Sequence, residues 1–159
     1  MGVAGSGKTT IGQALAKALS WPFFEGDDYH PQANADKIAS GTPLNDDDRW
    51  PWLTKLSKLI TSNLTNGQSF VLSCSALKES YRKLLTGGRP VVRYVYLKGD
   101  FELIYSRMES RPIYYMRPEM LPSQFEALEE PKNALVIDIS KSIEEIVEII
   151  RLDLAQTRS

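Results

Sequence analysis

Cysteine and histidine are nearly absent from this chain: there is one of each, Cys74 and His30, in 159 residues. A lone cysteine excludes an internal disulfide and suits a reducing compartment. One histidine with one cysteine also leaves no His/Cys zinc site to assemble. Charge of one sign is missing too, since 19 Lys and Arg are interspersed with 20 Asp and Glu for a net charge of −1. No basic face stands out, which removes the electrostatic case for a nucleic-acid partner. No signal peptide is visible, and no apolar run approaches the roughly 20 residues that span a bilayer, so the chain reads as cytoplasmic with no membrane partner. What is left is an ordinary globular composition, 42% hydrophobic and 25% charged. The length is that of one domain.

Against these absences stands one dense motif. Gly2-Val3-Ala4-Gly5-Ser6-Gly7-Lys8-Thr9 fits the phosphate-loop pattern G-x-x-x-x-G-K-[ST]. Its glycines let backbone N–H groups turn inward around a polyphosphate where a side chain would block the approach. Lys8 is placed to reach β- and γ-phosphates, and the Thr9 hydroxyl to ligate Mg²⁺. From Thr10 to Leu19 apolar residues recur at helical spacing, so a positive dipole end points at the phosphates. The reading is a nucleoside triphosphate site. The loop begins one residue after the first residue given, and the sequence therefore predicts a sheet whose first strand is missing.

Beyond the loop the pattern alternates. Trp21–Phe24, Ser69–Cys74, Val91–Leu97 and Ala134–Asp138 read as strands. Arg49 to about Leu64, Leu77–Leu85, a stretch capped by Asp100 and reaching Met108, and Ser142–Ala155 read as helices. A polar connection holds His30, Asn34 and Lys37. Residues 111–122, with three prolines, two arginines and two tyrosines, read as an ordered but mobile lid. Strands alternating with helices predict a single α/β domain, a three-layer α/β/α sandwich on a parallel sheet.

Ligands of such sheets gather at the carboxyl ends of the strands, where Glu25-Gly-Asp27-Asp28-Tyr-His30 falls. Glu25 and Asp27 on alternate positions divide naturally into a metal ligand and an acid that orients or deprotonates an attacking hydroxyl. Asp27 and Asp28 equally suit a turn. His30 reads as a substrate donor or a helix cap. Asn45–Asp48 supplies caps and first-turn charge to a helix, and Arg49 beside it suits an anionic substrate. Trp50 and Trp52 read as packing. Lys78 and Arg82, one helical turn apart, form either a clamp for a carboxylate or phosphate or a solvated face. Cys74, closing an apolar strand, reads as core. Arg107 and Arg111 near the lid suit charge stabilisation on a transferred phosphoryl group, and surface arginines of a loop would look the same.

Taken together, these motifs resemble the thermoresistant-type gluconate kinase family, related in fold to shikimate and nucleoside monophosphate kinases. The resemblance rests on Met1–Thr9, Gly26–Pro31, Pro43–Leu53, Cys74–Lys78 with Tyr81-Arg82, Tyr96–Gly99, Met120-Leu121 and Ser123–Glu129, and covers nearly the whole chain. It implies a P-loop NTPase fold with a five-stranded parallel sheet and a lid, a homodimer, and ATP-dependent phosphorylation of D-gluconate at the 6-hydroxyl. Carried over by position, Gly2 to Thr10 bind ATP, Thr9 and Glu25 hold Mg²⁺, and Lys8 and Asp27 are catalytic. Asp27, His30, Arg49, Lys78 and Arg82 face the gluconate, while Arg107 and Arg111 serve the nucleotide. The chain departs from the family at Arg111-Pro-Ile-Tyr-Tyr-Met116, where Tyr114 stands in place of the usual lid histidine, and in the missing strand before the loop. Two alternatives are another small-molecule kinase, for shikimate or a nucleoside monophosphate, and an inactive truncated nucleotide-binding protein. A GTPase would want an N-K-x-D motif, which the sequence lacks.

Overall fold

The computed structural model describes residues 1–111 and 116–156. Helix α1 (Lys8–Leu19) follows the glycine-rich loop directly, burying Ile11, Leu15 and Ala16 on one stripe. Strand β1 (Phe23–Glu25) comes next, then a 3₁₀ turn, Gly26–Tyr29, and a short helix α2 (Gln32–Ala39). Helix α3 (Asp46–Thr65) is the longest. Strand β2 (Val71–Ser73), helix α4 (Glu79–Thr86), strand β3 (Val95–Lys98) and helix α5 (Phe101–Glu109) follow. A 3₁₀ turn at Pro118–Met120 leads into helix α6 (Leu121–Ala127), then strand β4 (Leu135–Asp138) and helix α7 (Ile143–Gln156).

Local chemistry sets several of these boundaries. Asn45 and Asp48 form a reciprocal capping box at the start of α3, satisfying two N–H groups the helix itself leaves unpaired. Asp100 caps α5 by accepting from the Leu103 N–H at 2.8 Å. Apolar periodicity does the rest. Leu53, Leu56 and Ile104 are fully buried, each stabilising the fold by about 1.5–3 kcal/mol relative to an exposed side chain.

The strands pair in parallel, β1 with β2 and β3 with β4. Two buried apolar clusters lie against them. One joins α1, α5 and α7 to β3 and β4 through Leu15, Ile104, Leu97, Ile137 and Ile150, and the other joins α3 and α4 to β2 through Leu53, Leu56, Tyr81 and Leu85. The architecture is the expected α/β P-loop sandwich.

Among the described residues the sheet has four strands in two pairs, not five in one, and no strand precedes the loop. Met1 and Gly2 bridge the two pairs. The Met1 carbonyl accepts from Leu97 N–H at 3.0 Å, its amino group donates to the Val95 carbonyl, and Gly2 N–H donates to the Ser75 carbonyl at 3.2 Å. Behind them, between β2 and β3, lies an apolar hollow of about 430 Å³ lined by Ile11, Leu72, Leu85, Val95 and Ile150. The loop is thus pinned along β3 and to the segment after β2 by main-chain bonds.

Three other expectations change. Strand β3 begins at Val95, four residues later than the β-branched run suggests, because Val91 is exposed and Val92 closes a turn on Arg89. The polar connection is largely helix α2, which buries Asn34 and Ile38. The far end of the 111–122 stretch is anchored, with Met120 and Leu121 buried and Pro122 in the first turn of α6.

Candidate active site

The cleft opens where the loop, the turn after β1 and the start of α3 meet. Ala4, Gly5, Gly7, Lys8, Thr9 and Thr10 form one wall, Asp27, His30, Arg49 and Trp52 another, and Ser75, Arg111, Met116 and Gln124 also reach it. Parallel strands ending in register explain the convergence. Glu25 lies opposite Ser73 in the last pair of β1 and β2, so the chain leaves both strands at the edge where the loop sits.

The loop wall is main chain. Gly7 has φ +94°, open to glycine and strained for other residues, and an added Cβ there would meet nothing within 4 Å. Its conformation, and not crowding, requires glycine. Among the described residues no side chain caps α1, so the first N–H groups of the helix face the cleft with the positive end of its dipole. Such a terminus is a ready anion site. Gln124 from α6 braces the loop, accepting from Ala4 N–H at 3.3 Å. Lys8 folds back to donate to the Val3 carbonyl at 2.8 Å, and burial pushes its pKa down from the ordinary lysine value. A half-buried cation hydrogen-bonded to a neutral carbonyl is primed for an anion.

Thr9 joins this wall to β1: its hydroxyl donates to Glu25 Oε2 at 2.6 Å, while Glu25 Oε1 accepts from Asp27 N–H. A hydroxyl and a carboxylate are hard oxygen donors, the kind Mg²⁺ takes alongside water and phosphate oxygens. Among the described residues no three His, Cys, Asp or Glu side chains converge on one point. A cation bound at this pair would therefore draw its other ligands from solvent and substrate.

The opposite wall is built of side chains. Asp27 leaves 44% of its side chain exposed to the cleft. Burial of the remainder, opposed by Lys8, holds its pKa above the usual carboxylate range. His30 Nε2 lies 3.8 Å from Asp27 Oδ1. The His30 ring stacks on Trp52 with centroids 4.1 Å apart, and Trp52 is itself fixed by donating to the Gly26 carbonyl at 2.7 Å. Gly26 is obligatory for a different reason from Gly7, because a Cβ there would lie 2.3 Å from the Ser73 carbonyl oxygen. Burial, with Arg49 adding to it, pulls the His30 pKa down to about 4. The ring is therefore neutral at physiological pH. Arg49 projects from the first turns of α3 over the Tyr81 ring and donates to the Tyr81 hydroxyl at 3.2 Å. Tyr81 in turn donates to Asp46, which Lys78 also bridges at 2.9 Å.

Several candidate residues lie elsewhere. Arg82 turns inward, buried, with one guanidinium nitrogen donating to the Ala76 and Leu77 carbonyls at 2.9 Å each. It clamps the segment between β2 and α4 and does not line the cleft. Lys78 is held by Asp46 in a neighbouring hollow with Arg49 and Ser123. Arg107 donates to the Ile139 carbonyl at 2.9 Å, away from the cleft lining. Gly2, Val3 and Ser6 shape the loop from behind, and Val3 and Ser6 are buried. Arg111 reaches the cleft, while Tyr114 lies outside the described residues. Cys74 is buried and its thiol is pushed up to about 12, which fits core packing. Three contributors were missed in the sequence: Gln124, Trp52 as a shelf for His30, and Asn34, which bonds His30. Asn34 carried a signal, since it stands four residues after His30 on what proves to be a helix.

Fold and cleft together define a P-loop small-molecule kinase, and residues 4–144 match the shikimate kinase family model. The chain is 43% identical to the thermoresistant gluconokinase of Escherichia coli (strain K12) over 151 residues, covering 92% of this chain and 86% of that protein. It is 43% identical to a probable gluconokinase of Rattus norvegicus over 169 residues, covering 92% and 90% respectively. The chain belongs to the gluconokinases of the shikimate kinase family. A solved gluconokinase from Sinorhizobium meliloti 1021 superposes with a TM-score of 0.88 at 39% identity, covering 99% of this chain and 90% of that one. Shikimate kinase from Aquifex aeolicus, at 18% identity and a TM-score of 0.60 over 99% of this chain and 95% of its own, shares the fold.

Proposed function

We propose that this protein transfers the γ-phosphoryl group of ATP to the 6-hydroxyl of D-gluconate, giving 6-phospho-D-gluconate, with Mg²⁺ as the metal. The observation that carries this reading is the pairing of the two walls. An anion-binding loop with a half-buried lysine faces an acid, a neutral imidazole and an arginine across one cleft. Phosphoryl transfer needs little covalent help from a protein and much positioning and charge stabilisation.

Each residue's part follows from its placement. The loop N–H groups and Lys8 hold the β- and γ-phosphates, and on the approach of that charge Lys8 exchanges the Val3 carbonyl for phosphate oxygen. Thr9 and Glu25 would hold the metal, which would supply positive charge to offset that of the phosphates. Asp27, across the turn from Glu25, accepts the proton of the attacking hydroxyl. Its raised pKa brings it nearer the operating pH of a general base. Arg49 offers a planar fork for the substrate carboxylate, and Arg111 supplies positive charge from the edge of the lid. Lys78 and Arg82 support this arrangement through Asp46 and the Ala76–Leu77 carbonyls. A homodimer, implied by resemblance to the family, belongs to the same proposal and is checked by sedimentation equilibrium.

An ADP-release assay over sugar acids, with shikimate and AMP as competing acceptors, tests the reading. Rapid release with gluconate and none with the other two is the expected result. Comparable turnover of shikimate or AMP would overturn it.

A further inference from the structure

The structure assigns Asn34 the role of a positioning residue: its carboxamide fixes His30 in the Nε2–H tautomer, so that the ring presents a hydrogen-bond donor, not an acceptor, on the Asp27 side of the cleft. The argument starts at Asp48. The main-chain carbonyl of Asp48 can only accept, and it lies 2.8 Å from Asn34 Nδ2. Turning the carboxamide over would set its oxygen against that carbonyl, so the Asn34 orientation is fixed by chemistry. The same Nδ2 lies 3.2 Å from His30 Nδ1. An NH₂ group can only donate, and its second hydrogen goes to this ring nitrogen. Nδ1 must therefore carry a lone pair, and the proton of the neutral ring is on Nε2.

Among the described residues nothing else nearby competes for the assignment. Asn34 is buried, and the His30 side chain is only 5% exposed. Asp48 is held on both sides, by the capping box with Asn45 and by Lys37 at 2.6 Å. The charged groups facing the ring are Asp27 from the turn and Arg49 from α3. Protonating Nδ1 would bring two donors face to face, which adds to the burial and the Arg49 charge that already keep the ring neutral.

The consequence concerns proton direction. At 3.8 Å, His30 Nε2 and Asp27 Oδ1 are too far apart for a direct hydrogen bond, and a hydroxyl oxygen between them can touch both. With Nε2 as donor, that hydroxyl accepts from His30 and must direct its own proton to Asp27. The opposite tautomer would let imidazole and carboxylate compete for one proton. This kinetic consequence rests on the kinase reading; the tautomer itself does not.

The chain has one histidine, so its ring nitrogens give unambiguous signals in a long-range ¹H–¹⁵N correlation spectrum of the free, uniformly labelled protein at pH 7.5. The expected pattern is a bare Nδ1 and a protonated Nε2. A protonated Nδ1, or averaged shifts, would overturn the proposal whatever the substrate proves to be. Asn34→Leu should turn the fixed pattern into an averaged one, and Asn34→Asp should move the proton to Nδ1. Retention of the wild-type pattern in a folded variant would remove Asn34 from its role. In turnover, Asn34→Leu should lower kcat with gluconate at least about tenfold and leave the KM for ATP unchanged. In a His30→Gln background, where an amide donor has no tautomer to choose, Asn34→Leu should have little further effect. An equal drop in both backgrounds would mean that Asn34 acts only through the fold.

Discussion

The two walls of the cleft are made in opposite ways. The phosphate wall comes from one short stretch, Ala4, Gly5 and Gly7 to Thr10, whose business ends are main-chain N–H groups and one lysine. The acceptor wall draws Asp27 from a 3₁₀ turn, His30 from the segment before α2, and Arg49 and Trp52 from α3. These side chains are aligned by bonds between distant segments, among them Trp52 to Gly26 and Asn34 to Asp48. The difference shows where specificity can be stored. A main-chain cradle recognises any polyphosphate, whereas a wall of cross-linked side chains selects one acceptor and depends on every brace behind it.

The sharpest way to break this division is to disable one group on each wall. Lys8→Met and Asp27→Asn should each lower kcat by about two to four orders of magnitude. Their other effects should differ. Lys8→Met should weaken nucleotide binding and slow transfer to every acceptor, because it removes charge beside the phosphates. Asp27→Asn should leave ATP affinity, measured by calorimetry, near the wild-type value. A large loss of ATP affinity in Asp27→Asn would show that the walls are not separable, and a near wild-type rate would remove Asp27 from catalysis.

The next effect is on stability and concerns His30 in the acceptor wall. The folded-state pKa of His30, about 4, lies below its unfolded value of 6.5. Above pH 6.5 the ring is neutral in both states and its burial is not opposed. As pH falls from 6.5 towards 4 the unfolded chain takes up a proton that the folded one refuses, so stability is lost across that window. The loss amounts to at most ~3 kcal/mol. Asp27, with a raised pKa, works in the other direction at acid pH. Urea midpoints for wild type minus those for His30→Gln isolate the histidine. A difference that does not change between pH 7.5 and 5 would contradict a buried neutral ring.

That asymmetry also governs what could be read from the chain. The loop was legible as a motif because its geometry is local: Gly7, Lys8 and Thr9 follow from spacing alone, and the start of α1 follows from the loop. Elements with strong apolar periodicity, α1, α3 and α7, emerged close to their observed bounds. Helix α2 did not, because Gln32–Ala39 is only two turns long and one of its two buried residues, Asn34, is polar. The acceptor wall was legible by residue type but not by direction. Arg49 and Arg82 look alike in sequence, each a cation near the start of a helix close to the active edge. Only tertiary packing turns one towards the cleft and the other towards the Ala76 and Leu77 carbonyls. Gln124 was out of reach altogether, since it contacts Ala4 across 120 residues of chain.

The smallest effects test that last contrast, and they test it in two different currencies. Arg49→Met keeps the apolar stem against Tyr81 and removes the fork, so the KM for gluconate should rise by about tenfold, as loss of a charge-assisted pair at a partly solvated site does. The thermal midpoint should move little, because the Arg49 head faces the cleft and its hydrogen bond to Tyr81 is at 3.2 Å. Arg82→Met should do the reverse. It strips a donor from two carbonyls in a buried setting, which costs about 1–3 kcal/mol, while the KM for gluconate stays within about twofold in whatever fraction remains folded. If Arg82→Met instead raised that KM at unchanged stability, the inward clamp would have to open on substrate binding. Arg82 would then return to the acceptor wall, and the braces behind that wall would themselves be part of recognition.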